Sequence, residues 1–224
     1  MKIIARIRSA FPEKFGIPRQ SGLVEELQAR IVFEPEYRNA DAVRGLEEFS
    51  HLWLIWEFSE TKRDTWSPTV RPPRLGGNQR MGVFATRSPF RPNPVGLSCV
   101  KLDRVEIDDA LGPVIHVCGA DLMDGTPIFD IKPYIPYADC HPEAVGGFAS
   151  NKPEKKLQVD MAEEFCSVAA PEVISALRGV LAQDPRPAYQ NDPERVYGLS
   201  FAGMDVRFRV EEDVLRVCGI ELKK

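Results

Sequence analysis

The chain has 224 residues, 43% hydrophobic and 28% charged, and its 29 Lys and Arg against 33 Asp and Glu leave a formal charge of −4. Those are the figures of an ordinary soluble globular protein, one domain or two small ones with chain enough for a real core. Bulk charge therefore does not advertise nucleic acid, and no apolar run reaches membrane-spanning length, the longest being Leu52–Trp56.

The N-terminus opens on strand-like Lys2–Arg8 and lacks the apolar region of a signal peptide. The five cysteines (Cys99, Cys118, Cys140, Cys166 and Cys218) are widely spaced and form no Cys-x-x-Cys. The expectation is a cytoplasmic protein with reduced, mostly buried thiols and no membrane attachment.

Phe11–Val24 follows the first strand as a loop in which Pro18, Arg19 and Gln20 sit on stiffened backbone ahead of Gly22. A strand is predicted at Ala29–Phe33. Val43, Leu46 and Phe49 at helical spacing predict a helix over Asp41–Phe49. His51–Phe58 has almost no polar break and predicts a central strand buried on both faces. His51 at its mouth suits a satisfied strand-end residue better than a catalyst.

Arg71–Ser98 is the stretch around which the rest is organised. It holds five arginines, five prolines, four glycines and no acid. Only Met81–Ala85 in it reads as a strand. A long irregular segment inside a compact domain is usually functional, and prolines hold such a loop rigid at low entropic cost. From Lys62 to Arg104 nine Lys or Arg face Asp64 and Asp103, a local excess of +7 on a net-acidic chain. Such a patch suits phosphates, because screening confines exposed charges to about 10 Å.

Gly96–Ile107 and Pro113–Gly119 then predict a hairpin, and Asp121–Tyr134 a turn, a short strand and a proline stop. Ala138–Pro153 reads as a linker. Beyond it come a strand near Leu157–Met161, a helix over about Ala170–Gln183, and strands near Val196–Phe201, Asp205–Val210 and Val214–Glu221. The predicted fold is mainly β: an N-terminal antiparallel β-barrel over 1–138, a linker over 139–153, and a smaller C-terminal α+β domain over 154–224.

Several constellations are missing. His51, His116 and His141 share no metal-type spacing with cysteines or acids, so no metal is expected. There is no Walker loop, no Gly-x-Gly-x-x-Gly between strand and helix, and no Gly-x-Ser-x-Gly elbow. What remains are three loops, Pro18–Gln20, Thr86–Ser88 with its proline-rich tail, and Asp121–Lys132. They offer guanidinium, amide, carboxylate and hydroxyl groups on stiff backbone, a set suited to a zwitterionic amino acid attached to an adenosine.

Five segments carry a resemblance: Ala5–Ser9, Gly45–Trp53, Arg71–Ser98, Asp124–Tyr134 and Gln183–Tyr189. Together they closely resemble the TrmO (YaeB/TsaA-like) family of S-adenosylmethionine-dependent tRNA methyltransferases, over nearly the whole chain. The resemblance implies a barrel that binds S-adenosylmethionine, a homodimer, and methylation of N6 of threonylcarbamoyladenosine beside the anticodon of a tRNA. By motif it implies cofactor contacts at Pro18, Arg19, Gln20, Arg87, Leu97, Asp121, Leu122, Asp124, Gly125 and Thr126. Where the family often has His-Gln after the Leu-Trp strand, this chain has Ser59 and Glu60, candidates at least for backbone contact. The acid-free run makes Arg71, Arg74, Arg80 and Arg91 candidates for tRNA phosphates. Asp130, followed by Lys132 and Tyr134, is the best-placed carboxylate for a base, with Lys132 to stabilise developing charge and Tyr134 to stack on the target base. Two other classes stay open: a small-molecule methyltransferase on the same barrel, and a non-catalytic RNA-binding barrel.

Overall fold

The computed structural model describes residues 1–61, 65–150, 157–187 and 192–223. Lys62, Arg63 and Asp64 of the basic stretch, 151–153 of the linker, 154–156 at the start of the C-terminal domain, and Ala188 and Tyr189 of the last motif lie outside the described residues.

In chain order the N-terminal part carries β1 (Ala5–Arg8), β2 (Gln28–Phe33), β3 (His51–Glu57), the short β4 (Thr69–Val70) and β5 (Met81–Gly82), β6 (Val95–Asp108), β7 (Gly112–Cys118) and β8 (Pro127–Pro133). Six of these close into an antiparallel barrel in the order β1-β2-β7-β6-β3-β8. Closure is made by β1 against β8, with Ala5 opposite Ile128 and Arg6 opposite Pro127. Period-2 alternation puts Ile7, Ile31, Leu52, Leu54, Val100, Ile115 and Ile128 in the buried interior. β4 and β5 form a separate two-stranded ribbon.

Beyond the barrel lie the single turn α1 (Pro136–Asp139), β9 (Gln158–Asp160), the short α2 (Glu163–Cys166), α3 (Pro171–Ala182), β10 (Tyr197–Phe201), β11 (Met204–Glu211) and β12 (Val214–Leu222). The strands form a second sheet in the order β10-β11-β12-β9, with β9 parallel to β12. Pro171 at the start of α3 is pre-set for the first helical turn, and Ile174, Leu177 and Leu181 give it one buried stripe. That stripe packs on Leu199, Phe201, Val206, Phe208 and Leu215 of the sheet. The fold class read from the sequence is the one observed.

The second core does not belong to the C-terminal sheet alone. Phe11, Val24 and Leu27, from the loop between β1 and β2, are buried in it, with Phe15 and Ile17 packed against it. Phe11 meets Phe201 edge-on at 5.3 Å. Gly16 (φ +88°) lies so close to Leu199 that a Cβ there would sit 2.3 Å from Leu199 Cδ1. The loop is thus held between barrel and sheet.

Four expectations change. Asp41–Phe49 is no continuous helix but two 3₁₀ turns, Ala40–Val43 and Leu46–Glu48, split at Gly45 with φ 80°. β3 alternates between buried and half-buried residues, so only one of its faces is core. The strand predicted at Met81–Ala85 ends at Gly82, and Val83–Ala85 turns as 3₁₀. No cysteine is fully buried; Cys140 and Cys218 are exposed, and all five are free. Among the described residues no helix is long and apolar enough to cross a membrane.

Candidate active site

A cavity of about 650 Å³ opens at the barrel end where the first loop, the end of β3, the arginine-rich loop and the turn before β8 meet. Its volume falls in the range of roughly 300–1,000 Å³ usual for small-ligand sites. Of the residues singled out from the sequence, Pro18, Arg19, Gln20, Ser59, Glu60, Arg87, Leu97, Asp121, Leu122 and Thr126 line it, and Arg91 joins them.

Each wall is set by a local device. Trp56 lies flat over Gly96, where a Cβ would come within 2.3–2.6 Å of three indole atoms. Glycine is therefore required in that strand, and it lets the indole Nε1 donate to Ser98 Oγ at 3.0 Å. Ser98 Oγ in turn donates to Asp121 Oδ1 at 2.6 Å. Burial pushes the Asp121 carboxyl above its ordinary range. The Ser98 hydroxyl, the backbone N–H groups of Asp121 and Ser21, and the Arg87 charge each offset part of that rise. Arg87 also donates to Gln20 Oε1, tying the arginine-rich loop to the first loop. Lys14 Nζ reaches across to the Glu60 carbonyl at 3.2 Å. Four segments remote in sequence thus converge on one half-buried carboxylate.

Asp124 and Gly125 belong to the same turn but do not line the cavity. Asp124 accepts from the Ser9 N–H at 3.0 Å and pairs with Arg8 at 3.5 Å. The Gly125 N–H donates to the Ile7 carbonyl, and its own carbonyl accepts from Arg6. Both brace the turn that presents Asp121 and Leu122. Thr126 Oγ1 closes that turn on the Met123 carbonyl at 2.7 Å.

Asp130, Lys132 and Tyr134 also lie outside the lining. Asp130 and Lys132 form an exposed ion pair at 3.0 Å on the outer face of β8. Across that face Asp130 stands beside Ile55, and Ile55 beside Leu97, which is 57% exposed and does line the cavity. Tyr134 packs against Trp53 and His51, at 5.8 and 6.2 Å between centroids. Trp53 Nε1 donates to Asp139, which also accepts from the Ile135 N–H; these bonds, that to Ile135 first, hold the Asp139 carboxyl below its usual range.

Of the arginines, Arg71, Arg74 and Arg80 stand exposed on the ribbon and its loop, Arg80 bonding Thr69 Oγ1 at 3.0 Å. Arg91 is half-buried and holds the Thr86 carbonyl at 3.1 Å. Among the described residues no group of His, Cys, Asp or Glu is arranged to hold a metal ion.

Sequence reasoning missed Lys14, Trp56 and Ser98. Trp56 read as core, and Ser98 had no distinguishing context. The one available signal was Gly96, since a glycine inside a strand marks a close approach.

Two family models match the chain: the tRNA-methyltransferase O N-terminal domain over residues 6–140 and the TrmO C-terminal domain over 154–223. The tRNA (adenine(37)-N6)-methyltransferase of Escherichia coli K12 is 44% identical, over 97% of this chain and 96% of its own length. A putative S-adenosylmethionine-dependent methyltransferase, RcsF, of Pseudomonas aeruginosa is 40% identical over 97% and 95%. A crystal structure of TrmO from P. aeruginosa superposes with a TM-score of 0.79 at 35% identity, covering 98% of this chain and 95% of that one. On fold, on both family models and on full-length identity, the chain belongs to the tRNA-methyltransferase O family and is a methyltransferase.

Proposed function

We propose that this protein transfers a methyl group from S-adenosylmethionine to N6 of threonylcarbamoyladenosine at position 37 of a tRNA. The observation that carries this reading is the meeting of the Arg87–Gln20 bond and the Ser98–Asp121 bond, with Asp121 half-buried, in the wall of one cavity of nucleoside size. The donor set fits the group. Asp121 is placed to counter an ammonium or sulfonium charge, Arg19 and Arg87 to hold a carboxylate, and Trp56, Leu97 and Leu122 to cover apolar and ring surface. Asp124 and Gly125 act one step removed, by fixing the turn.

S-adenosylmethionine supplies an electrophilic methyl group, so the chain has mainly to align the acceptor and remove its proton. The acceptor adenosine enters over the outer face at Leu97, where β3 and β8 run alongside. Two strand spacings separate Leu97 from Asp130, about 10 Å. The Asp130 carboxylate takes the N6 proton there, and Lys132, its partner at 3.0 Å, balances charge on the carbamoyl oxygen. Tyr134 borders the same face. Arg71, Arg74, Arg80 and Arg91 hold tRNA phosphates.

The proposal also covers a cytoplasmic homodimer, a second copy covering the open side of the cavity, and a division into a cofactor-binding barrel over 1–138, a linker and a C-terminal domain from 154. Calorimetric titration with S-adenosylmethionine tests it. Micromolar binding that is lost in Asp121→Asn supports the reading; a wild-type protein that binds no S-adenosylmethionine but binds tRNA leaves a non-catalytic RNA-binding barrel instead.

A further inference from the structure

The ribbon β4–β5 carries two large aromatics that the cavity does not use. Trp66 is 52% and Phe84 72% exposed, with ring centroids 6.1 Å apart and planes inclined by 32°. Their positions are built. Thr69 pairs with Gly82 and Val70 with Met81, the Val83 N–H donates to the Pro68 carbonyl at 2.9 Å, and Val83 is buried. Ser67 Oγ bonds the Thr69 carbonyl at 2.8 Å and fixes the approach to Trp66. Two aromatics held side by side with more than half of each exposed are a recognition surface rather than unfinished core.

The charge around them says what they recognise. No acid occurs between Thr65 and Leu102, and exposed Arg71, Arg74 and Arg80 lie on the same ribbon and loop. Aromatic rings beside arginines that make no ion pair among the described residues suit single-stranded nucleic acid, whose bases stack while phosphates pair with guanidinium. The platform is also in line with the chemistry. Phe84 ends two residues before Thr86 and three before Arg87, which line the cavity. A base that enters a cavity must leave its stack, so its neighbour loses a stacking partner.

Resting on the function proposed above, we infer that Trp66 and Phe84 form a stacking platform for the unpaired base next to the target adenosine. Arg71, Arg74 and Arg80 hold the phosphates that flank it. The platform replaces for that neighbour the stacking lost when the target is extruded.

The test uses full-length protein and an anticodon stem-loop RNA carrying 2-aminopurine beside the target adenosine. Wild-type protein quenches the 2-aminopurine, and quenching is lost in Trp66→Ala/Phe84→Ala. RNA affinity falls by roughly five- to a hundredfold in that variant, while S-adenosylmethionine affinity is unchanged. Trp66→Phe, which keeps an aromatic face, retains most of the affinity; if the alanine variant fails to fold, comparison of Trp66→Phe with Trp66→Leu gives the same answer. Unchanged RNA affinity and quenching in a folded alanine variant overturn the inference. So does loss of RNA binding together with a halved sedimentation mass, which makes the pair a contact between copies. Failure of the function itself looks different: the wild-type protein then binds no S-adenosylmethionine, whatever Trp66 and Phe84 do.

Discussion

Ser98 donates to Asp121 at 2.6 Å with the oxygen that accepts from Trp56, so one hydroxyl sets both a ring and a charge. Burial raises the Asp121 carboxyl, and Ser98 partly holds it down. The carboxylate form is the one that counters a cation, so S-adenosylmethionine affinity should fall as pH drops through the raised value, which lies above 3.8. Ser98→Ala removes a lowering contact and should move that fall to higher pH; titration calorimetry across pH checks it. Stability runs the other way. A carboxyl whose folded pKa is raised binds more protons folded than unfolded, so stability is lost as pH rises from 3.8 through the folded value. Asp121→Asn should therefore raise the melting temperature at neutral pH while weakening cofactor binding.

Gly96 should tolerate no side chain. Gly96→Ala places a Cβ within 2.6 Å of Trp56 ring atoms and must displace the indole. A cost of about 1–3 kcal/mol is expected from overpacking, together with weakened cofactor affinity as Nε1 leaves Ser98. Thermal melts and calorimetry on the one variant read both.

The C-terminal sheet should be felt at the cofactor. Leu199 backs onto Gly16, and Ile17, Pro18, Arg19 and Gln20 follow directly into the cavity wall. Leu199→Ala is expected to destabilise by roughly 2–5 kcal/mol and to speed amide exchange over 16–22. Equal exchange in variant and wild type would mean that the barrel alone holds the loop.

Arg87→Ala should weaken S-adenosylmethionine binding by roughly ten- to a hundredfold with the fold intact, through loss of a charge-assisted bond. Neutralising Arg71 and Arg74 should instead lower the salt slope of tRNA binding by up to about two units and leave cofactor affinity alone. In single turnover, Asp130→Asn should slow methyl transfer by roughly a hundredfold or more with normal binding. A loss below about threefold would leave alignment alone as the mechanism.

What the sequence showed followed local physics. Alternation in Ala29–Phe33 and the hairpin around Gly112 set the barrel strands, and Pro171 with the Ile174–Leu177–Leu181 stripe set α3. Where reading failed, a contact remote in sequence or one glycine decided. Gly45 splits Asp41–Phe49, which periodicity alone made a helix. β3 seemed doubly buried because Trp53 and Trp56 are both apolar, yet Trp53 faces outward to Asp139. Ser98 gains its meaning only from Trp56 and Asp121, far from it in the chain. The place of Phe11 and Val24 in the C-terminal core has no local signature at all.

The most direct test of the central claim is mass analysis of nucleosides from tRNA of cells lacking this protein, after incubation with the purified enzyme and S-adenosylmethionine. The expected result is conversion of threonylcarbamoyladenosine to a product heavier by one methyl group on N6, abolished in Asp121→Asn. Unchanged threonylcarbamoyladenosine, with a methyl group on any other nucleoside or on none, would contradict it.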